Sequence, residues 1–350
     1  MTNGFSNSGK ALLSPPDFRA QDLVLGHEIV SLPLFARLYL GAFKSGAGQN
    51  TPRWKLLACR AAYYVLDAMA CAPSWGSMSV DIRGHVRRIQ FNCRNRQFNS
   101  LYFEKYAAGY EPSVTATLLA LLPRDGILYD IGSNWGYFSL LVARRKEFLG
   151  HVHAFEPWPA SFTDLTSVIR QADLNHIITP HPVALAADSG EASMTSGRHS
   201  GLARVVSVGA GAKVSKRCLD DLQLEPPSLI KLDVEGFEAA ALRGGQSTIC
   251  SSQPFLILES SAQDQVGSTE AVMRLLEEWD YRLFIPALAN ATSRRSSTLM
   301  HDTAPISSDP FRLVMHPITS RSRRLHRDYL NILAAPTRRC AQLEPLVENA

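Results

Sequence analysis

The most informative segment of this chain is Tyr129-Asp130-Ile131-Gly132-Ser133-Asn134-Trp135-Gly136-Tyr137-Phe138. It joins the apolar run 127–131, which has the composition of a strand, to the apolar segment 139–143, which is typical of a helix. The glycines allow a tight turn and the close approach of a ligand, because a Cβ atom would clash there. The segment therefore predicts a strand, a glycine turn and a helix N-terminus with free N–H groups.

The acids around this turn favour one kind of ligand. Dinucleotide-binding turns carry the pattern G-x-G-x-x-G and hold phosphates on the helix N-terminus. Here the pattern is D-x-G-x-x-x-G, with Asp130 two residues before Gly132. A carboxylate at this place repels a pyrophosphate and suits a cationic ligand, such as S-adenosylmethionine with its ammonium and sulfonium groups. Glu156, at the end of the next apolar run, can accept both hydroxyls of a ribose. A glycine turn without a ligand is the alternative.

Strand-like and helix-like segments alternate through most of the chain. The predicted strands are 127–131, 151–155, 177–185, 229–234, 255–259, 282–286 and 331–334. Repeated β–α units of this kind form a mostly parallel sheet with helices on both faces. The sequence therefore predicts an α/β, Rossmann-like fold.

The chain divides by composition into four parts. Residues 1–30 are expected to be a loose tail, and residues 31–109 an extension with two helices and a β-hairpin turning at Gly84-His85. The α/β domain is expected over residues 110–336, and a C-terminal tail over 337–350. Within the domain, the polar segment 289–328 is too long for a plain connection, so we expect an insertion or lid there.

Further acids follow two later strands of the predicted sheet. Asp233 lies near the end of the predicted strand 229–234, Glu235 follows that strand, and Glu259 ends the predicted strand 255–259. Ligands of open α/β sheets bind beyond the carboxyl ends of the strands, so these acids should share an edge with Asp130 and Glu156. Such a group can supply a general base for a hydroxyl, or oxygen ligands for a divalent cation. Solvated loop acids are the alternative interpretation.

At this point the sequence resembles the FkbM-type methyltransferase family, a branch of the class I S-adenosylmethionine-dependent enzymes. The resemblance covers about residues 110–335, and several motifs occur in order. They are Tyr110-Glu111-Pro112, the loop 130–137, Phe155-Glu156-Pro157, Val183-Ala184-Leu185, Lys231-Leu232-Asp233-Val234-Glu235-Gly236-Phe237-Glu238 and Asn331-Ile332-Leu333-Ala334. Ser133 and Trp135 replace the family's more usual residues in the cofactor loop.

The resemblance implies a class I methyltransferase sheet and O-methylation of a hydroxyl on a sugar, polyketide or related small metabolite. It implies that S-adenosylmethionine is the cofactor, and that the residues around it are Glu111, Asp130, Gly132, Ser133, Asn134, Gly136, Glu156 and Ala184. Asp233 and Glu235 are the expected catalytic residues. If Mg²⁺ or another divalent cation is used, Asp233, Glu235 and Glu259 are its expected ligands.

Composition bears on the size of the core, on nucleic-acid binding and on the location of the protein. The chain has 350 residues, 45% hydrophobic and 19% charged, so a full core is expected. A net charge of +4 without a long basic stripe argues against a nucleic-acid partner. The six scattered cysteines form no C-x-x-C pair, and no segment has the length of a membrane span, so we expect a cytoplasmic protein.

Two other functions stay open at the level of sequence. A nicotinamide-dependent oxidoreductase shares the fold, although the D-x-G-x-x-x-G turn counts against it. A non-catalytic cofactor-binding scaffold is the other, because fold does not guarantee chemistry. The presence of both Asp233 and Glu235 favours an enzyme. The identity of the acceptor and the oligomeric state are not specified by the sequence.

Overall fold

The structure is a computed structural model. It describes residues 17–43, 53–69, 74–107, 109–195, 204–206, 211–234, 236–260, 268–290, 310–323 and 330–347.

The N-terminal extension begins with strands and two helices. Its elements, in chain order, are β1 (Asp17–Phe18), β2 (His27–Ser31), α1 (Leu34–Phe43), α2 (Arg53–Met69), β3 (Trp75–Ile82) and β4 (His85–Asn92). Strands β2, β3 and β4 form a small antiparallel sheet. The β3–β4 hairpin turns at Arg83 and Gly84, which both have positive φ, as a two-residue turn between twisted strands requires. The turn is one residue before the one that the sequence predicts.

A short helical segment then leads the chain to the glycine turn after β5, residues 132–136. It consists of a 3₁₀ turn, Arg96–Phe98, then α3 (Asn99–Tyr102) and a second 3₁₀ turn, Glu104–Tyr106. The buried Phe98 ring stacks on Trp135, with ring centroids 4.6 Å apart. Asn95 donates to the side-chain oxygens of Asn134 (2.9 Å) and Asp164 (3.0 Å). The extension is therefore packed directly against the glycine turn.

Strands and helices make up most of the rest of the described chain. They are α4 (Pro112–Leu121), β5 (Ile127–Ile131), α5 (Tyr137–Ala143), β6 (His151–Phe155), α6 (Pro159–Ala172), β7 (Ile178–His181), β8 (Val183–Leu185), β9 (Gly190–Thr195), β10 (Arg204–Val206), β11 (Ala212–Arg217), β12 (Leu229–Leu232), α7 (Glu238–Gly244), α8 (Gln246–Ser252), β13 (Phe255–Ser260), α9 (Ser268–Glu278), β14 (Tyr281–Asn290), β15 (Phe311–Ile318) and β16 (Leu330–Pro336). Pro112 and Pro159 occupy the first turns of α4 and α6, where a missing N–H costs nothing.

The central sheet of the described residues has the strand order β1-β15-β14-β16-β13-β12-β5-β6-β7. From β13 to β7 every neighbouring pair is parallel. From β13 outward to β1 every pair is antiparallel. A smaller sheet, β10-β9-β11-β8, lies outside it. The sheet is therefore mixed rather than mostly parallel as the sequence predicts, and its parallel half carries the predicted ligand edge.

Alternate residues of the strands enter two separate hydrophobic clusters. Leu128, Val152 and Ile257 pack with residues of α4, α5 and α6. Tyr129, Ile230 and Leu256 pack with residues of α7, α8 and α9. Because side chains alternate across a strand, the two clusters lie on opposite faces of the sheet. The expected α/β architecture, with helices on both faces, is confirmed.

Three expectations about the chain ends and the segment 289–328 need correction. Within the expected loose tail 1–30, β1 pairs with β15 and β2 joins the small antiparallel sheet. Within 289–328, residues 311–318 are a strand of the central sheet rather than an insertion or lid, and residues 291–309 and 324–329 lie outside the described residues. Within the expected tail 337–350, two 3₁₀ segments bury Leu343 and Leu346. Apolar side chains that complete the core explain all three differences.

The segment 177–185 is also not one strand. It divides into β7, at the edge of the central sheet, and β8, in the smaller sheet. Pro182 stands between them and has no N–H to continue a ladder of hydrogen bonds. This break places Ala184 beside the ends of β5 and β6 rather than in the central sheet.

Candidate functional site

A cavity of about 310 Å³ lies at the carboxyl ends of β5, β6, β12 and β13. Its wall comes from the glycine turn, from the ends of these strands, from β8 and β9, and from the extension. This is the edge at which ligands of open α/β sheets bind. The cavity volume is within the range of small-molecule sites in proteins.

The glycine turn brings backbone against backbone at the floor of the cavity. Gly132 has φ of +82°, and a Cβ atom built on it would lie 1.7 Å from the carbonyl oxygen of Asp233. The N–H groups of Gly132 and Ser133 both donate to the Phe155 carbonyl oxygen, at 2.9 and 3.0 Å. Only glycine fits this place, and the turn is held to β6 by these two bonds. Gly136, with φ of +89°, is the N-cap of α5.

Asp130 is buried at the end of β5, with 1% of its surface exposed. The N–H and hydroxyl groups of Ser139 donate to its Oδ2 atom at 3.1 and 2.6 Å. Its Oδ1 atom is buried without a hydrogen-bond partner. Burial raises the pKa of Asp130 above its ordinary value, although the Lys231 ammonium and the Ser139 donors oppose the shift. A buried acceptor without a donor costs free energy, so this atom is suited to a donating or cationic ligand group.

Glu156 lies at the turn after β6 and is also buried, with 6% of its surface exposed. Its Oε2 accepts the N–H of Asn134 at 2.9 Å, and its Oε1 accepts the N–H of Trp158 at 2.7 Å. Burial raises its pKa to about 7, and the two N–H donors offset part of that rise. Each oxygen keeps a second lone pair, which a ligand hydroxyl can use.

Lys231, Asp233 and Glu259 form a charged group at the ends of β12 and β13. The Lys231 Nζ atom is 3.0 Å from Asp233 Oδ2 and lies 4.9 Å from the centre of the Phe138 ring. Asp233 also has a side-chain hydrogen bond with Glu259. Asp233, Lys231 and Glu259 therefore lie together at one point of the cavity wall.

Burial and the neighbouring charges shift the pKa values of this group in opposite directions. Burial raises the pKa of the Asp233 carboxyl, but Lys231 and the bond from Glu259 outweigh it and hold that pKa below its ordinary value. Burial lowers the pKa of Lys231, but the carboxylates of Asp233, Glu111 and Asp130 raise it above its usual range. Asp233 is thus ionised, and Lys231 is a permanent cation that cannot itself act as a base.

Glu111 lies near this group but does not line the cavity. It is buried, is the N-cap of α4 and has φ of 45°, which is uncommon for a residue with a side chain. Its carboxylate interacts electrostatically with Lys231. Its neighbour Tyr110 lines the cavity, whereas Glu111 does not. The structure therefore places Glu111 as a counter-charge to Lys231 rather than on the cavity surface.

The other predicted residues fall into three groups. Asp130, Gly132, Ser133, Asn134, Glu156, Ala184, Asp233 and Glu259 all line the cavity. Gly136 caps α5 next to it. Glu235 lies outside the described residues. Among the residues that the structure describes, no group of three or more His, Cys, Asp or Glu side chains is arranged to hold a metal ion.

Sequence reasoning missed part of the cavity wall. Gln97, Ser100 and Tyr106 of the extension line it, together with Met194 of β9. Nothing in the local sequence marks the three extension residues, because they reach the cavity only through the packing of Phe98 on Trp135. Met194 reaches the cavity from the smaller sheet. Lys231 was predictable: a lysine within the apolar strand 229–232 must be buried and therefore paired.

Of the helices within the described ranges, none combines the length and the hydropathy needed to cross a bilayer.

Comparison with known proteins shows what the central part of the chain is similar to. Residues 127–283 match the family model described as "Methyltransferase FkbM domain". A hexuronic acid methyltransferase, AglP, of Haloferax volcanii is 28% identical over 162 residues, which span 43% of this chain and 63% of that protein. The chain thus matches less than two thirds of this relative's length.

Two solved structures show weaker likeness. The methyltransferase FkbM from Methylobacillus flagellatus is 19% identical, with a TM-score of 0.38 over 60% of this chain and 44% of that chain. The TYW2 protein of M. jannaschii, solved in complex with AdoMet, is 9% identical, with a TM-score of 0.32 over 74% of this chain and 86% of that one. At these scores the likeness adds nothing to the match at the level of sequence. At the level of sequence, residues 127–283 are therefore similar to the FkbM methyltransferase domain.

Proposed function

We propose that this chain is an S-adenosylmethionine-dependent methyltransferase that methylates a hydroxyl oxygen of a sugar or a related small metabolite. The observation that carries the proposal is the buried, unpartnered Oδ1 atom of Asp130 beside the Gly132 turn, in a cavity of the matched family region. A cationic ligand would offset the free-energy cost of burying that oxygen without a partner, whereas a pyrophosphate would be repelled by it. This difference argues against the nicotinamide-dependent alternative.

The donor set suits S-adenosylmethionine at both of its polar ends. Asp130 and the turn residues Gly132, Ser133 and Asn134 would hold its cationic end, and Glu156 its ribose hydroxyls. Ala184 and its apolar neighbours Phe155 and Leu185 would hold the base. When bound, S-adenosylmethionine supplies the electrophilic methyl group. The residues around it exclude water and fix the orientation, and orientation alone can supply a large part of the barrier reduction.

The acceptor proton needs a base, and Asp233 is the residue in place for it. Its carboxylate is ionised, lines the cavity and is held in position by Lys231. Lys231 also balances the negative charge of this wall. Glu235, the other expected catalytic residue, keeps that role as a prediction from sequence. A base of this kind contributes on the order of 100- to 10,000-fold to a proton-transfer step.

The acceptor class is proposed from the same features. The Haloferax volcanii relative is named for a hexuronic acid, which makes a sugar a reasonable acceptor class for the family region that it shares with this chain. An ionised carboxylate beside the cofactor cavity, here Asp233, suits a hydroxyl acceptor, because the hydroxyl must lose its proton during methyl transfer. The cytoplasmic location and the lack of a nucleic-acid partner stay predictions from composition.

The test combines cofactor binding with methyl transfer. We expect S-adenosylmethionine to bind with micromolar-range affinity, about −8 kcal/mol. Asp233→Asn should bind it and yet transfer methyl groups about 100- to 10,000-fold more slowly. Asp221→Asn, at an exposed aspartate away from the cavity, is the matched control and should keep the parent rate. Tight NAD binding without S-adenosylmethionine binding would show that the proposal is wrong, and cofactor binding with no transfer would favour a non-catalytic scaffold.

A further inference from the structure

The extension contributes one wall of the cavity, although it lies outside the matched family region. Gln97, Ser100 and Tyr106 line the same space as Asp233. They reach it because the segment that carries them is fixed by the Phe98–Trp135 stack and by the two hydrogen bonds of Asn95. The wall is therefore a built part of the molecule. No residue of β14 or β15 lines the cavity in the described part of the chain.

The chemistry of this wall is polar but uncharged. The side-chain amide of Gln97 makes no hydrogen bond with another described residue, so both its oxygen and its nitrogen are available to a ligand. The Ser100 hydroxyl donates to the backbone carbonyl oxygen of Gln97 at 2.7 Å, and its own lone pairs stay available as acceptors. The rings of Tyr106 and Tyr110 meet edge to face, 5.3 Å apart. An amide, a hydroxyl and aromatic rings together match the donors, acceptors and C–H faces of a hydroxylated compound.

The charges on the described part of the remaining wall disfavour an acidic acceptor, so only the sugar class, and not the acid, is carried over from the Haloferax volcanii relative. Among the described lining residues, the carboxyl groups are those of Asp130, Glu156, Asp233 and Glu259, and the cation is Lys231. Lys231 is already bonded to Asp233 at 3.0 Å. Against these described residues an anionic group would lose its hydration and meet carboxylates, while their cation, Lys231, is already paired with Asp233.

We propose that Gln97, Ser100 and Tyr106 form the acceptor-binding wall of this site, and that the acceptor is a small hydroxylated compound without charge. The proposal rests on the methyl transfer proposed above. In that transfer the acceptor oxygen gains the methyl group as the S–CH₃ bond breaks. The electron pair of that bond stays on sulfur, and the hydroxyl proton passes to Asp233. Neither step needs a charged group on the acceptor.

The experiment uses the full chain, methyl-labelled S-adenosylmethionine and a small-molecule extract of the source cells. Labelled product is separated by ion exchange into neutral, anionic and cationic fractions, and the neutral product identifies the acceptor for steady-state kinetics. We expect the label in the neutral fraction as a methyl ether that resists mild base. Gln97→Ala should raise the acceptor KM roughly 3- to 10-fold, the scale of one lost neutral hydrogen bond, with kcat and cofactor affinity unchanged. Tyr106→Phe provides a second, more conservative variant of the same wall.

Gln90→Ala is the matched control, because Gln90 lies in β4 of the same extension, with an exposed side chain away from the cavity. Label in the anionic or cationic fraction, or an unchanged acceptor KM in both wall variants, would overturn the proposal. So would cofactor binding with no labelled small molecule, since the acceptor would then be something larger. Failure of S-adenosylmethionine to bind would instead remove the proposed function itself.

Discussion

Glu156 links cofactor binding to pH in a way that one substitution can test. Burial raises its pKa to about 7, so a large part of the free protein carries a neutral Glu156 near neutral pH. Its two oxygens each accept a backbone N–H, from Asn134 and from Trp158. A proton on Glu156 would occupy a lone pair that a ribose hydroxyl otherwise uses, so a donating ligand favours the carboxylate. We therefore expect S-adenosylmethionine to bind the ionised form.

The size of the effect follows from the pKa. When only the ionised form binds, the apparent affinity scales with the ionised fraction of Glu156. For a pKa of about 7 that fraction is roughly 25-fold smaller at about pH 5.5 than at about pH 7.5, which corresponds to about 2 kcal/mol. The sign is fixed: affinity rises as pH rises through the pKa of the free protein, because binding releases the proton.

Glu156→Gln keeps the shape of the side chain and removes the titration. We expect cofactor affinity in this variant to vary little between about pH 5.5 and pH 7.5, and to be weaker by about 1–3 kcal/mol at the upper end, the scale of a lost charge-assisted hydrogen bond. Calorimetric titration of the parent and the variant at several pH values measures both quantities.

Two control variants separate Glu156 from other groups. Glu147→Gln, at an exposed glutamate, should keep the parent's pH profile. Asp164 titrates in the same range, because burial raises its pKa to about 6, and it is joined to the turn through Asn95, so Asp164→Asn measures its share. A parent affinity that is flat across this range, or a Glu156→Gln variant with the parent's slope, would refute the reasoning.

Two further predictions concern the turn and the acid group. Gly132→Ala should destabilise the protein by at least about 2 kcal/mol in denaturant unfolding, because its Cβ atom would meet the Asp233 carbonyl. Gly236→Ala is the control: Gly236 has φ of +98° and nothing within 4 Å of the added Cβ, so this change should cost only about 1 kcal/mol of strain. Equal losses in the two variants would show that the close contact does not matter. EDTA should leave the rate of methyl transfer unchanged, because the Lys231 ammonium already neutralises Asp233; loss of activity that Mg²⁺ or Mn²⁺ restores would instead support a metal held by Asp233, Glu235 and Glu259.

Local sequence was sufficient for the parallel strands β5, β6, β12 and β13 and for the acids at their carboxyl ends. The runs that form β5, β6, β12 and β13 are short, apolar and bounded by glycine, proline or acids, so their period and length are visible in the chain. The carboxyl ends of parallel strands meet at one edge, which is why Asp130, Glu156, Asp233 and Glu259 were predicted to lie together. The Gly132 turn was predictable for the same reason: its conformation depends on residues next to it.

Only the tertiary structure decided the antiparallel half of the sheet and the part of the cavity wall that comes from the N-terminal extension and the smaller sheet. Strand β15 pairs with β1, which is almost three hundred residues away in the chain, and no local pattern specifies such a partner. Pro182 was visible, but only the packing of β8 into a second sheet placed Ala184 at the cavity. Gln97 and Tyr106 carry no motif, and the Phe98–Trp135 contact brings them to the cavity. Their position depends on side-chain packing between distant segments, a long-range property that a pattern of neighbouring residues does not contain.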